Sequence, residues 1–352
     1  MDDFVAPPPV EPGDSVAVVA PASNSAAEFP HVYELGLSRM REEFDLEPVE
    51  YPTATKDAEW LYDNPEARAQ DVMDAFRDPD VSAVVANIGG NDQIRMLKHL
   101  DPDVLREHPT RFYGWSDNTN LALFLWNLGI VSYYGGSTLL EYAMDGEMFD
   151  YTVEYLGRAL FDDAVGEWEA ADRFTDQAGN WVDPRSLEFP REVEPADGRT
   201  WTGGDDTVEG RIWGGCWEIL DQWFVQDEWL PSVDDLDGCI LAVETSEEIP
   251  HPGMVAGWFR ALGERGYLRA FDGVLVGRAT ARNHTEAGDN PRHRRVEYRE
   301  QQREAIESVV AEYNPDAPVV FDCEFGHTYP TCPIPIGGEA RIDPGNETLT
   351  LS

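Results

Sequence analysis

Ser116 lies in the run Tyr113-Gly114-Trp115-Ser116-Asp117-Asn118-Thr119, where a short apolar strand pattern gives way to an almost wholly apolar helix pattern. A hydroxyl at such a junction is placed to act as a nucleophile. At neutral pH it needs a base, a third group to orient that base, and donors for the oxyanion that forms. Glu244 closes a second buried strand pattern, Ile240-Leu241-Ala242-Val243-Glu244, and His327 stands between Gly326 and Thr328. Serine, acid and histidine in that order supply the parts of a hydrolytic triad, so a hydrolase is the leading reading. The backbone N–H of Asp117 falls at the start of the next helix, where the helix dipole favours negative charge. The Gly89-Gly90 turn offers a second backbone donor from a neighbouring strand.

Each residue also has a plainer role: helix capping for Ser116 and Asp117, a tight turn for the glycines, a strand end for Glu244 and a loop contact for His327. Gathered at strand ends and flanked by glycine, they favour chemistry. The G-x-S-x-G elbow is absent, because Asn118 stands where its second glycine belongs. The histidine falls in a different domain from the serine, so a site shared between domains is expected.

The elements that would carry these residues alternate in the first half. Strand patterns run over Ser15 to Val19, Val81 to Ile88, Arg111 to Tyr113 and Ile130 to Tyr134. Helix patterns run over Phe29 to Phe44, Pro65 to Phe76 and Asp92 to Arg106. This is the signature of a parallel sheet covered by helices, a flavodoxin- or Rossmann-like α/β domain over residues 1–165. Small polar residues follow each strand, at Ala20 to Ser23, Gly89 to Asp92, Ser116-Asp117 and Gly135 to Thr138, and in such sheets ligands bind at the carboxyl edge. Residues 166–206 read as a connecting segment rich in proline and aromatics, including Trp168, Trp181 and Trp201. Residues 207–352 read as a β-rich second domain. Its strands are expected near Val208 to Trp213, Cys239 to Glu244, Gly273 to Val276, Pro318 to Phe321, Glu339 to Ile342 and Glu347 to Leu351. Its helices are expected over Cys216 to Phe224, Pro252 to Arg265 and Arg295 to Tyr313, with a mobile stretch from Arg282 to Arg295.

The 352 residues carry 26 Lys plus Arg against 68 Asp plus Glu, a formal net charge of -42, and Lys56 and Lys98 are the only lysines. That surface repels phosphate backbones and anionic lipid, so neither nucleic acid nor membrane is an expected partner. Dispersed acid with lysine depleted fits a halophilic cytoplasm, where the Debye length shrinks to about 3 Å at 1 M salt and self-repulsion is screened. The N-terminal residues lack a signal-peptide pattern, and the expected location is cytoplasmic. The four cysteines, at 216, 239, 323 and 332, show no metal-type spacing and read as buried small residues. A disulfide between Cys323 and Cys332 is the weaker alternative.

Taken together, these motifs resemble the serine peptidase family of LD-carboxypeptidases (muramoyltetrapeptide carboxypeptidases) and the microcin C immunity peptidase. The resemblance runs from Gly13-Asp14-Ser15-Val16-Ala17-Val18-Val19-Ala20-Pro21-Ala22-Ser23 to Gly326-His327. Gly114-Trp115-Ser116-Asp117-Asn118-Thr119 resembles the family's Gly-x-Ser-Asp-x-Thr, and Gly210-Arg211-Ile212-Trp213-Gly214-Gly215 its entry to the second domain. The resemblance implies an N-terminal α/β domain with the nucleophile and a β-rich swivelling domain with acid and base, usually in a homodimer. It assigns Ser116, Glu244 and His327 as the triad and the backbone amides of Gly90 and Asp117 as the oxyanion hole, with no metal or organic cofactor. Many LD-carboxypeptidases carry arginine before the glycine pair. Here Asn87-Ile88-Gly89-Gly90-Asn91-Asp92 is closer to the microcin-immunity branch, yet Cys216 follows Gly214-Gly215 where that branch has asparagine.

The expected substrate is a small peptide or a peptidyl-adenylate-like molecule. Its anionic end calls for a cation, and arginine matches carboxylate and phosphate bidentately. Arg278 and Arg282 are the candidates, with Gly89 and Asn91 beside the nucleophile; surface ion pairing is the competing role for the arginines. A non-catalytic small-peptide binder on the same fold is the alternative function. A dinucleotide-binding protein fits less well, since Gly89-Gly90 lacks the third glycine of that fingerprint.

Overall fold

The computed structural model describes residues 4–282 and 290–352. The chain divides into two compact units. The first comprises Met1–Val165, Gly179–Arg191 and Thr331–Gly337, the second Gly166–Ala178, Glu192–Pro330 and Gly338–Ser352.

The first unit is built on a six-stranded sheet. Its order is Ile334–Ile336, Ser132–Tyr134, Arg111–Tyr113, Val81–Ala86, Ser15–Val19, Glu47–Glu50. All neighbours are parallel except Ile334–Ile336, which pairs antiparallel with Ser132–Tyr134. Val16 to Val19 and Ala83 to Ala86 are fully buried, as continuous apolar strands between helical layers require. The helix Thr119–Asn127 is buried at every position from Thr119 to Trp126, consistent with its apolar character on all sides. Each large side chain it buries stabilises the unit by about 1.5–3 kcal/mol.

The expected helix Asp92 to Arg106 is two short helices, Ile94–Leu97 and Pro102–Glu107. Pro102 begins the second, and Asp101 caps it by accepting the Asp103 N–H at 3.0 Å.

The second unit has an eight-stranded mixed sheet. Four parallel strands, Val208–Cys216, Cys239–Glu244, Phe271–Gly277 and Pro318–Cys323, form its centre. Antiparallel strands flank them: Glu339–Asp343, Thr348–Leu351 and Gly166–Glu167 on one side and Thr200–Gly203 on the other. The helices Trp217–Gln226, Pro252–Glu264 and Arg292–Tyr313 follow strands of the parallel centre. The mobile stretch expected from Arg282 to Arg295 is corrected at its end. Residues 292–295 form the first turn of a helix, and Arg295 is buried with its guanidinium on Glu194. Residues 283–289 lie outside the described residues. All four cysteines are buried thiols, so the Cys323 to Cys332 disulfide is not formed. Among the described residues, no helix is long and apolar enough to cross a membrane.

Candidate functional site

Ser116 follows the strand Arg111–Tyr113 in a short 3₁₀ turn, Ser116–Asn118, that leads into the helix Thr119–Asn127. Its φ is +60°, in the left-handed region that a side-chain-bearing residue occupies only under constraint. The turn is thus a strained strand-to-helix elbow without the elbow's second glycine. The room is supplied from a neighbouring loop instead. A Cβ at Gly89 would stand 2.7 Å from the Ser116 Cβ and 2.9 Å from its Oγ, so only glycine fits there. The Ser116 backbone N–H donates to the Tyr134 hydroxyl at 3.0 Å.

Asp117 does not cap its helix through its side chain. Its buried carboxylate reaches across to the glycine loop, where Oδ2 accepts the N–H groups of Asp92 and Gln93, both at 2.9 Å. Oδ1 accepts from Asn120 at 2.9 Å. Gln93 completes the latch, donating to Asn118 Oδ1 at 2.8 Å and accepting the Leu121 N–H at 3.0 Å. The loop's outer side is held by Arg68, which pairs with both oxygens of Asp92 at 3.0 and 3.1 Å. Asn87 is buried and donates to Asn24 Oδ1 and the Ala54 carbonyl. Gly89, Gly90 and Asp117 therefore sit in one latched assembly with Ser116, and Asn91 is exposed on the same loop. Burial raises the Asp117 carboxyl to about 6, against the Gln93 N–H bond that favours its ionised form.

In the second unit, Glu244 is the last residue of the strand Cys239–Glu244, and His327 follows the strand Pro318–Cys323. His327 Nδ1 lies 2.7 Å from Glu244 Oε2. Gly326 (φ +93°) makes this possible, since a Cβ there would fall 2.4 Å from the Glu244 side chain. The other ring nitrogen, Nε2, lies 3.1 Å from Glu247 Oε2. Burial opposes the imidazolium, but Glu244 chiefly, then Glu247 and Glu218, outweigh it and raise the His327 pKa to about 9. Parallel pairing sets Cys216 opposite Glu244, and the Cys216 thiol lies 3.1 Å from Glu218 Oε2. Glu218 in turn accepts the Ser246 hydroxyl at 2.7 Å. Burial, then the Glu244 and Glu218 charges, hold the Cys216 thiol well above its ordinary value.

The two arginines are tied up within the second unit. Arg278 is buried, donates to the Asp322 carbonyl at 3.2 Å and stacks over the Phe174 ring. Arg282 pairs with Asp176 at 2.9 Å and reaches Glu194 at 3.5 Å. These are internal ion pairs, whereas the competing role expected for them lay on the surface. Glu247, Glu218 and Tyr134 escaped the sequence reading; in a chain with 68 acids a single glutamate carries no local signal.

Comparison with known proteins defines the class. A family model described as the LD-carboxypeptidase N-terminal domain matches residues 16–135, and one described as the LD-carboxypeptidase C-terminal domain matches residues 209–342. The chain belongs to the LD-carboxypeptidase family, a family of peptidase-type hydrolases. It is 26% identical over 290 residues to the microcin C7 self-immunity protein MccF of Escherichia coli, covering 81% of this chain and 78% of that protein. It is 25% identical over 349 residues to the probable murein peptide carboxypeptidase of Bacillus subtilis (strain 168), covering 98% and 93%. Among solved structures, an MccF-like protein from Streptococcus pneumoniae in complex with AMP superposes with a TM-score of 0.84 at 26% identity, covering 96% of this chain and 98% of that one.

Proposed function

We propose that the protein is a serine carboxypeptidase or amidase that cleaves an amide bond in a small peptide or peptide-like substrate. Ser116 attacks the scissile carbonyl, His327 takes its proton, and Glu244 orients the ring and stabilises the imidazolium that results. Backbone N–H groups of Gly90 and Asp117 receive the oxyanion, each such donor being worth about 100- to 1000-fold in rate. An acyl-enzyme forms on Ser116, and water attacking it with His327 as base releases the product.

The observation that carries the reading is Ser116 held at φ +60° on a strand-to-helix turn with Gly89 packed against its Cβ. Strain of this kind is retained where it aims a reactive group. The AMP in the Streptococcus pneumoniae relative favours a peptidyl-adenylate-like substrate over a plain peptide. We assign no substrate role to Arg278 and Arg282, which Asp322 and Asp176 already engage.

The test is labelling with a serine-directed fluorophosphonate in multimolar salt, with peptide mapping. Wild type should label on Ser116, Ser116→Ala should not, and His327→Ala and Glu244→Gln should label far more slowly. Folded wild type that fails to label would overturn the assignment in favour of a non-catalytic peptide binder, and label on another serine would overturn Ser116 as the nucleophile.

A further inference from the structure

Around His327 the second unit gathers more chemistry than a hydrolytic acid–base pair needs. Cys216, Glu244 and His327 each offer one ligand atom, and these atoms all lie within 4.8 Å of one another. The three residues are far apart in sequence. They meet because Val208–Cys216 and Cys239–Glu244 end side by side in parallel register, Cys216 opposite Glu244, and because the loop after Pro318–Cys323 lays His327 on Glu244.

We propose that Cys216, Glu244 and His327 form a zinc site whose occupation silences the peptidase. Thiolate, imidazole and carboxylate are the three ligand types zinc accepts, and three protein ligands with one exchangeable position is the usual arrangement at an open zinc site. Zinc–ligand bonds of about 2.0–2.3 Å put bound ligand atoms about 3–4 Å apart, so the cluster closes on an ion with side-chain movements on the order of 1 Å. The outer shell is present too. Glu218 lies 3.1 Å from the thiol and is itself held by Ser246, and half-exposed Glu247 lies 3.1 Å from His327 Nε2. On binding, the Cys216 thiol and the protonated His327 ring each give a proton to solvent, the sulfur bonds the ion as thiolate, and the ring binds as neutral imidazole through a lone pair. A ring held in this way is not available to take a proton from serine. The ion is therefore an inhibitor, not a cofactor. Binding itself does not involve Ser116; only the inhibitory consequence rests on the proposed function.

The experiment uses the whole chain, stripped of metal and kept reduced without added thiols in molar salt, titrated with Co²⁺ and then with Zn²⁺. Total uptake is uninformative on a surface this acidic, so the readout is the thiolate-to-cobalt charge-transfer absorption. Wild type and Ser116→Ala should both show the band, and Zn²⁺ should abolish it. Cys216→Ala should lose it, with the near-isosteric Cys216→Ser used if the alanine variant does not fold. His327→Ala removes a ligand and should weaken binding by more than the roughly 10- to 100-fold typical of losing an outer partner. In turnover assays Zn²⁺ should inhibit wild type reversibly, and Cys216→Ala, relative to its own rate, should need at least tenfold more. Absence of the band in folded wild type, or its persistence in Cys216→Ala, would overturn the site. A band in protein that never labels with fluorophosphonate would leave the zinc site standing and remove the peptidase reading instead.

Discussion

Glu247 sets a carboxylate oxygen 3.1 Å from His327 Nε2 while Glu244 holds Nδ1 at 2.7 Å, so one imidazole is bridged by two acids. In triad chemistry Nδ1 belongs to the orienting acid and Nε2 to the serine. Glu247 thus competes for the nitrogen that does the work. Its side chain is 46% exposed, and after solvent screening such a contact is worth about 1 kcal/mol or less. Glu247→Ala is expected to raise kcat/KM by up to about fivefold. A tenfold loss would instead make Glu247 a group the reaction needs.

Gly89→Ala tests the elbow. The added methyl would meet the Ser116 side chain at under 3 Å, with Ser116 unable to retreat along a strained turn. We expect kcat to fall about 100-fold from misplacement of the nucleophile while the protein stays folded at ordinary temperature. Activity within threefold of wild type would show that the close packing is incidental.

Asp117 gives a pH signature. Its folded-state pKa is raised from the ordinary 3.8 to about 6, so between those values the native state holds a proton that the unfolded chain has lost. Stability from this group is present at low pH and is lost as pH rises through about 6. Asp117→Asn removes the titration. The stability of wild type relative to the variant should therefore decline from pH 4 to pH 7, on the order of 2 kcal/mol, as read from denaturant unfolding. The common acid unfolding driven by the other carboxylates cancels in that difference. A flat difference would mean that the latch to Asp92 and Gln93 holds the carboxylate ionised throughout.

Two ion pairs should respond oppositely to removal. Arg199 and Glu324 are both nearly buried at 2.6 Å, and Arg199 also stacks on Trp168. Glu324→Ala strands a buried guanidinium and should cost about 3 kcal/mol or more. Arg185 and Asp183 form an exposed pair, and Arg185→Ala, which leaves the Asp183 cap in place, should leave the melting temperature unchanged within error.

The net charge of -42 makes a prediction at the scale of the molecule. Raising KCl from dilute to multimolar should raise the melting temperature steadily, as repulsion among the acids is screened. Full stability in dilute buffer would sink the halophilic reading.

The sequence exposed what it encodes by apolar runs. Ser15–Val19, Arg111–Tyr113 and Cys239–Glu244 were legible to the residue because buried parallel strands are continuously apolar. Glu47–Glu50 was not, since an edge strand of Glu, Pro, Val and Glu has no such pattern. Ile334–Ile336 was hidden among prolines, and its partner Ser132–Tyr134 lies far back in the chain. Ser116, Glu244 and His327 stood out by their places at element ends. Cys216 met Glu244 only through sheet register, which residue types do not specify, and the Asp117 latch read as plain capping because its target loop is long-range.

The strand Ile334–Ile336 also bears on how the protein is made. The sheet of the first unit is completed by residues about 200 positions beyond their neighbour Ser132–Tyr134. During synthesis the first unit must therefore wait, with the edge of Ser132–Tyr134 unpaired, until almost the whole chain has left the ribosome. A fragment ending near Val165 would keep that edge for good, and would be prone to pair with other copies of itself.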